Sequence, residues 1–312
     1  MNTSYTIETR DVRYKLHITG KYNVIVGDSR SGKTRLATLC DNIYRGAPTL
    51  TDPGIEIVGA STRTVTDIFP LLKQKEGALF VLDEEVLCAG GHALSDAILG
   101  SKNVFIFTTR ERLAEIPYGI SNIFELIGND KHKRMVRKYS DKPIQINNVS
   151  LNDGILVEDT ALGFDVAKAV LSYRGFKKID TALNKDGFTN MFSKRNHRIA
   201  IIDLCGAGSV YPELADKAYV YGLFICTSKS FEWEMLTRAL QFGEIDAPIE
   251  QLLEYRSEER MYEQLLNAYM RKKFSLSYSK NLSLSELPKE FKLNEMYPEL
   301  FGESGIKPLS FL

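Results

Sequence analysis

The sequence predicts an α/β fold with two successive sheet-bearing regions and a helical C-terminal stretch. Three features lead to it. A β-branched run, Tyr22-Asn23-Val24-Ile25-Val26, opens onto Gly27-Asp28-Ser29-Arg30-Ser31-Gly32-Lys33-Thr34, and a segment free of Gly and Pro follows. A wholly apolar run from Ala78 to Leu82 closes on Asp83-Glu84-Glu85. From Ile155 to Trp233, short apolar runs alternate with stretches of helical spacing, the pattern of parallel strands joined by crossover helices.

Gly-x-x-x-x-Gly-Lys-Thr between a buried strand and a helix is the spacing that a polyphosphate needs. Backbone N–H groups of such a loop wrap the anion, and the helix N-terminus adds its dipole. Gly27 and Gly32 permit turns and close approaches that a side chain blocks. This reading makes Gly27, Asp28, Ser29, Arg30, Ser31 and Gly32 the nucleotide cradle. It puts Lys33 on the β- and γ-phosphates and gives the Thr34 hydroxyl to Mg²⁺. Asp83 then holds the Mg²⁺ shell through water, and Glu84 orients or deprotonates the attacking water. Glu85 reads as a surface residue. ATP is the expected nucleotide, since no Asn-Lys-x-Asp base-reading motif is present.

Charge and cysteine usage narrow the class. With 40 basic and 40 acidic side chains the formal net charge is zero, which argues against a uniformly basic surface but leaves room for a local basic groove. Cys40, Cys88, Cys205 and Cys226 are dispersed beside apolar runs with no C-x-x-C, so they read as buried thiols in a reducing compartment rather than a zinc site. Met1 to Arg13 is polar and charged, unlike a signal peptide, and no apolar run nears the roughly 20 residues of a membrane span. The expectation is a cytoplasmic protein with no membrane partner.

In chain order, Tyr5–Arg10 and Tyr14–Thr19 alternate and predict an antiparallel ribbon, with His17 on its surface or half-buried. Ile43 to Thr66 reads as loop around one short run, Ile55–Val58. After Asp83-Glu84-Glu85 and a Gly-Gly break, a short helix is expected over Leu94–Leu99. Val104 to Arg110 follows as a third buried strand with a polar tip. Thr109 or Arg110 at that tip is a candidate γ-phosphate sensor; the alternative is a strand simply reaching solvent.

The order of ribbon, Gly-x-x-x-x-Gly-Lys-Thr, Leu82-Asp83-Glu84-Glu85, Leu94-Ser95-Asp96 and Phe107-Thr108-Thr109-Arg110 resembles a shortened ABC-type P-loop ATPase. Leu94-Ser95-Asp96 matches that family's D-loop, and Arg110 stands where the family has a switch histidine. No Leu-Ser-Gly-Gly signature lies between Lys33 and Asp83. The resemblance implies a homo-oligomer or a partner protein completing the ATP site, and the missing signature bears on that assembly.

Lys131-His132-Lys133-Arg134-Met135-Val136-Arg137-Lys138 is a dense basic run, either a phosphate-backbone contact or a solvated face. Asp141-Lys142-Pro143 and Asn147-Asn148 mark the expected domain boundary. Beyond it, strands are read at Ile155–Asp159, Lys178–Ala182, Arg198–Asp203 and Tyr219–Ile225. Helical stretches fall between Leu162 and Tyr173, near Gly187–Lys194, and from Phe231. The C-terminal edges of such strands bring Glu158, Asp159 and Asp203 together.

That second half resembles a Toprim domain, and the whole layout resembles OLD-type nucleases. The resemblance implies Mg²⁺ held by Glu158 and Asp203 for phosphoryl transfer on DNA or RNA, with Glu232 or Glu234 as a further acid. Cys205 sits where the family carries a second aspartate, and a thiol is a poor ligand for Mg²⁺. Acids that merely end strands at solvent are the alternative. From about Phe242 the chain is helical and charged, with Leu282–Leu312 irregular.

The expected organisation is therefore an ABC-like P-loop ATPase domain over 1–145, a Toprim-like α/β domain over 146–240 and a helical extension over 241–312. The expected function is a Mg²⁺-dependent ATPase whose nucleotide state controls a nucleic-acid-acting domain, in phage or plasmid defence. The alternative is an ATP-switched interaction module with an inactive second domain. A small-molecule kinase fits less well, because Asp83-Glu84 points to attack by water.

Overall fold

The computed structural model of the chain describes residues 3–28, 30–50, 53–60, 65–139, 150–192, 197–221, 224–243, 245 and 247–298. It divides into two units, Met1–Tyr139 with Asp246–Glu258, and Ser140–Ile245 with Glu259–Leu312. The stretch expected as a C-terminal extension is thus shared between the two. The expected boundary motifs, Asp141-Lys142-Pro143 and Asn147-Asn148, lie outside the described residues.

The first unit holds eight strands: β1 (Thr3–Glu8), β2 (Arg13–Ile18), β3 (Tyr22–Ile25), β4 (Ile57–Ala60), β5 (Leu79–Asp83), β6 (Val104–Thr108), β7 (Ile123–Gly128) and β8 (His132–Arg137). They form one mixed sheet in the order β1-β2-β8-β7-β3-β6-β5-β4. The pairs within the run β7-β3-β6-β5-β4 are parallel, as is β2–β8, whereas β1–β2 and β7–β8 are antiparallel. Helices α1 (Lys33–Tyr44), α2 (Val65–Gln74) and α3 (Glu84–Gly100) complete its first part.

The continuous apolar runs of β5 and β6 follow from burial on both faces. Leu79, Val81, Val104 and Ile106 pack with Leu36, Ala37 and Cys40 of α1. Phe80, Leu82, Phe105 and Phe107 pack with Ile68 and Leu72 of α2 and Val86, Leu94 and Ile98 of α3. On that second face the rings of Tyr22, Phe80, Phe105 and Phe107 stack at 5.6 to 6.4 Å. α1 sits so close to β4 that a Cβ at Gly59 would lie 2.0 Å from the Asp41 amide nitrogen.

Two readings of this half are corrected. The segment read as loop from Ile43 to Thr66 gives up its ends, the first to α1 and the last to α2, which carries Pro70 inside it. The chain is already helical from Glu84, ahead of the expected helix over Leu94–Leu99. Gly91, at φ 54 and ψ −153, is non-helical and divides α3 in two, which is the expected Gly-Gly break. The carboxylates of Glu84 and Glu85 favour this early start, because they lie in the first turn where the helix dipole is positive. The basic run, read as a phosphate contact or a solvated face, includes strand β8, of which Met135 is the one buried residue.

The second unit carries a parallel four-stranded sheet in the order β10-β9-β11-β12, from β9 (Gly154–Val157), β10 (Ile179–Thr181), β11 (His197–Asp203) and β12 (Phe224–Ser228). Helices α4 (Ala161–Tyr173), α5 (Lys185–Phe192), α6 (Tyr211–Tyr221) and α7 (Phe231–Glu234) connect or follow them, and α7 continues as a π-helical turn, Met235–Ala239. The strand expected from Tyr219 starts at Phe224. Tyr211, Leu214, Ala215 and Ala218 are buried at helical spacing, and that packing overrides the β preference of Tyr219-Val220-Tyr221.

Two helices remain. α8 (Ile249–Leu253) belongs to the first unit, where Ile249 and Leu253 pack beside Val12 and Leu16. α9 (Glu258–Phe274) supplies Leu266 and Met270 to the core of the second unit, with Val157, Val166 and Ile201. No described helix is long and apolar enough to cross a membrane.

Candidate functional site

β3 delivers the chain to the 27–34 loop, and α1 starts inside it. Gly27 has φ 140 and Gly32 φ 102, conformations that glycine adopts freely. Arg30 takes φ 71, which costs a side-chain-bearing residue about 1 kcal/mol. Lys33 curls back over this loop. Its ammonium donates to the carbonyl of Gly27, to Asp28 O at 3.1 Å and to Ser31 Oγ at 3.3 Å. Burial and neighbouring Arg110 press the Lys33 pKa below the usual lysine range, while Glu84, Asp28 and Asp83 pull it back.

A cavity of about 590 Å³ opens over the loop, lined by Asp28, Arg30, Ser31, Gly32, Lys33 and Thr34 together with Asp83, Glu84 and Arg110. Their convergence follows from strand order. β6 lies between β3 and β5, so the C-terminal tips of all three come side by side. Asp83 ends β5 and accepts a hydrogen bond from Thr108 Oγ1 at 2.5 Å. Glu84 Oε2 accepts from the Arg110 amide at 3.3 Å.

The two candidates at the β6 tip part company. Thr109 is fully buried, with its hydroxyl bonded to Glu111 O at 3.0 Å and its amide to Ile25 O at 3.1 Å. Arg110 is exposed and lines the cavity. Gly27 contributes its carbonyl to Lys33, and Ser29 lies outside the described residues. Arg35, Glu85, Cys88, Asp130 and Lys133 also line the cavity; Lys133 falls in the basic run read as a phosphate contact or a solvated face, and Cys88, expected as a buried thiol, is exposed. Lys133 is the one that strand parity could have found, since alternate residues of β8 must face the loop once its neighbour β2 does.

Thr34, Asp83 and Glu84 bring hard oxygen atoms to the lining of the cavity, a donor set of the chemistry that suits Mg²⁺ with water and phosphate oxygens completing its shell.

In the second unit, β9 and β11 are neighbours with Val157 beside Ile201, so both chains leave the sheet at one edge. Glu158 follows β9; its amide donates to Ile201 O, and its carboxylate accepts from the Asp203 amide, each at 2.9 Å. Asp159 lies against Gly163, where a Cβ would come within 2.7 Å of its side chain. Glu158, Asp159 and Asp203 share a cavity of about 400 Å³ with Glu259, Tyr278 and Lys280. Burial, then Glu158 and Glu232, push Asp159 up to about 8. Burial, then Asp159 and Glu158, carry Asp203 well above the carboxylate range.

Of the two further acids, Glu232 belongs to this group and Glu234 does not. Tyr278 Oη donates to Glu232 Oε1 at 2.8 Å, and Lys280 Nζ stands 3.6 Å from the same oxygen and 3.0 Å from Glu259 Oε1. Glu234 instead accepts from the Tyr297 amide at 3.2 Å. Burial disfavours the Lys280 charge, but Glu232 and Glu259 outweigh it and hold the pKa above the usual lysine value. Cys205 is buried, with its amide on Lys229 O, and is not part of the cavity wall.

The crowded carboxyls repel one another, and a hard cation would relieve that repulsion. Among the described residues, however, no three His, Cys, Asp or Glu side chains are placed to hold a metal ion. Water or a substrate phosphate would have to close any coordination shell here. Compared with known proteins, the chain matches no protein-family model, no curated protein and no solved structure.

Proposed function

We propose that the chain is a Mg²⁺-dependent P-loop ATPase of ABC-like organisation, whose nucleotide state controls a Toprim-like unit acting on or binding nucleic acid, the organisation of an OLD-type nuclease. The observation that carries this reading is the meeting of Lys33, Thr34, Asp83, Glu84 and Arg110 around one cavity. Each has a place in hydrolysis. The loop amides and Lys33 hold the polyphosphate, and Arg110 bears on the charge that grows at the γ-phosphoryl group. Glu84 accepts the proton of the attacking water while the bond from phosphorus to the ADP oxygen breaks. Mg²⁺, held at Thr34 and Asp83, neutralises phosphate charge when bound.

Glu158, Asp159 and Asp203 are the proposed phosphodiester site of the second unit, with Mg²⁺ at Glu158 and Asp203 as its cofactor. The reading in which this unit is an inactive scaffold draws on two observations: Cys205 stands outside the cavity, and Lys280 already offsets acids beside it.

Calorimetry with ATP and Mg²⁺ tests the first part. Wild-type protein takes up ATP, and Lys33→Ala, with an unchanged melting temperature, does not; no uptake by folded wild type removes the proposal. Cleavage of plasmid DNA by wild type but not by Glu158→Ala or Asp203→Ala selects the nuclease reading. ATP uptake without cleavage selects the scaffold.

A further inference from the structure

Residues of β2 and β8 sort by parity. In their parallel register Tyr14 lies beside Lys133, and both turn to the 27–34 loop. The Tyr14 hydroxyl donates to Gly32 O at 3.2 Å, and Lys133 Cε lies 3.4 Å from where a Gly32 Cβ would be. The neighbours on either side take the opposite face: Arg13 beside His132, and Lys15 beside Arg134, all four exposed. β1 extends this face with Thr6 in register with Lys15 and Ser4 with His17. Glu8 meets Arg13 at 3.7 Å, and among the described residues no carboxylate pairs with Lys15 or Arg134.

We propose that this face of β1, β2 and β8 tracks the phosphate backbone of a nucleic-acid duplex. It rests on the nucleic-acid part of the proposed function and adds the surface that receives the partner. Strands about 4.8 Å apart, with same-face residues about 6.7 Å apart along each, set Arg13, Lys15, His132 and Arg134 as a two-dimensional cationic lattice. Ser4 and Thr6 add hydroxyl donors of the kind that contact phosphate oxygens.

The composition of the face selects the partner. Single-strand platforms stack bases on aromatic rings, and membrane-binding surfaces bury apolar side chains. The exposed large hydrophobic residues of the described chain are outside β1, β2 and β8, although Leu50 stands beside β1 with its amide donating to Glu8 O at 2.7 Å.

The test is anisotropy of a short labelled DNA duplex over a salt series, with wild type and the triple variant Arg13→Gln, Lys15→Gln, Arg134→Gln. None of the three lines the nucleotide cavity, so ATP uptake serves as the control for folding. The expected result is an affinity loss of about tenfold or more, and a salt slope shallower by about 2.7, from about 0.9 per phosphate contact removed. A control variant, Lys73→Gln, Lys168→Gln, Lys272→Gln, removes the same charge from exposed helix positions and keeps wild-type affinity. Should the triple variant lose ATP uptake, Lys15→Glu alone replaces it and is expected to weaken binding. Wild-type affinity in the triple variant, or equal weakening in the control, overturns the surface while leaving the nucleic-acid reading in place. A wild type that binds no duplex, or binds anionic vesicles instead, overturns both.

Discussion

Thr108 and Asp83 face each other across β6 and β5, and the threonine hydroxyl donates to Asp83 Oδ1 at 2.5 Å. The strand that separates Asp83 from the 27–34 loop therefore also anchors its carboxylate, with one oxygen held and the group still lining the cavity. Thr108→Val keeps the shape and removes the donor. The expected cost is about 1–3 kcal/mol of stability, because a nearly buried carboxylate loses its partner. ATP uptake should also need more Mg²⁺. A variant with wild-type melting temperature and magnesium response would show that Asp83 needs no such anchor.

Glu84 is tied to the β6 tip through the Arg110 amide. Glu84→Gln conserves size and removes basicity. Turnover of ATP should fall by about 10²–10⁴, the contribution of a positioned general base, with nucleotide affinity unchanged. Full activity in this variant would move the role to Glu85, which is exposed on the same cavity.

The elements around this cavity were legible because two local signals coincide there: apolar runs buried on both faces, and acids or glycines that end them. Asp83 and Lys33 are each named by a motif, and β3 and β5 by their composition. Asp130 had no such mark and Lys133 only that of a basic run, since the placement of β7 and β8 beside β2 and β3 depends on long-range pairing. In the second unit, Glu158 and Asp203 were readable as strand-ending acids. Tyr278 and Lys280 were not, because a lone tyrosine and lysine in an irregular stretch carry no periodicity. They reach the acids only through the docking of the 275–282 segment, where Leu162 donates its amide to Lys280 O. Tyr219–Tyr221 misled for the opposite reason, as local β preference lost to a buried helical stripe.

Lys280 is the cation beside the buried Glu232 carboxylate, and Glu232 Oε2 has no hydrogen-bond partner among the described residues. Lys280→Met should push the already raised Glu232 pKa further up and cost about 1–3 kcal/mol at neutral pH. A raised carboxyl pKa means that the folded state holds its proton more tightly than the unfolded chain does. The deficit should therefore shrink as pH falls below the Glu232 pKa, where the buried group is protonated and needs no counter-charge. Denaturant titrations of variant and wild type at acidic and neutral pH measure this; a deficit independent of pH would mean that Lys280 acts by packing alone.

Lys21 sits at the other end of β3, 6% exposed, with its ammonium donating to Leu99 O at 3.5 Å and Tyr255 O at 3.1 Å. Burial, countered by Glu254 and reinforced by Arg256, brings its pKa down from 10.5 to about 8. Between those values the unfolded chain binds the proton and the folded chain releases it, so stability rises with pH across that window. Below about 8 both states are protonated, and the cost of burying the charge, on the order of 3 kcal/mol, is present in full. Lys21→Met removes the titrating group. The stability of wild type relative to this variant should therefore climb as pH is raised from 8 towards 10.5, read by denaturant midpoints at matched ionic strength. A flat difference would mean that the ammonium is solvated well enough to keep its ordinary pKa, and that its two carbonyl partners hold it without an electrostatic penalty.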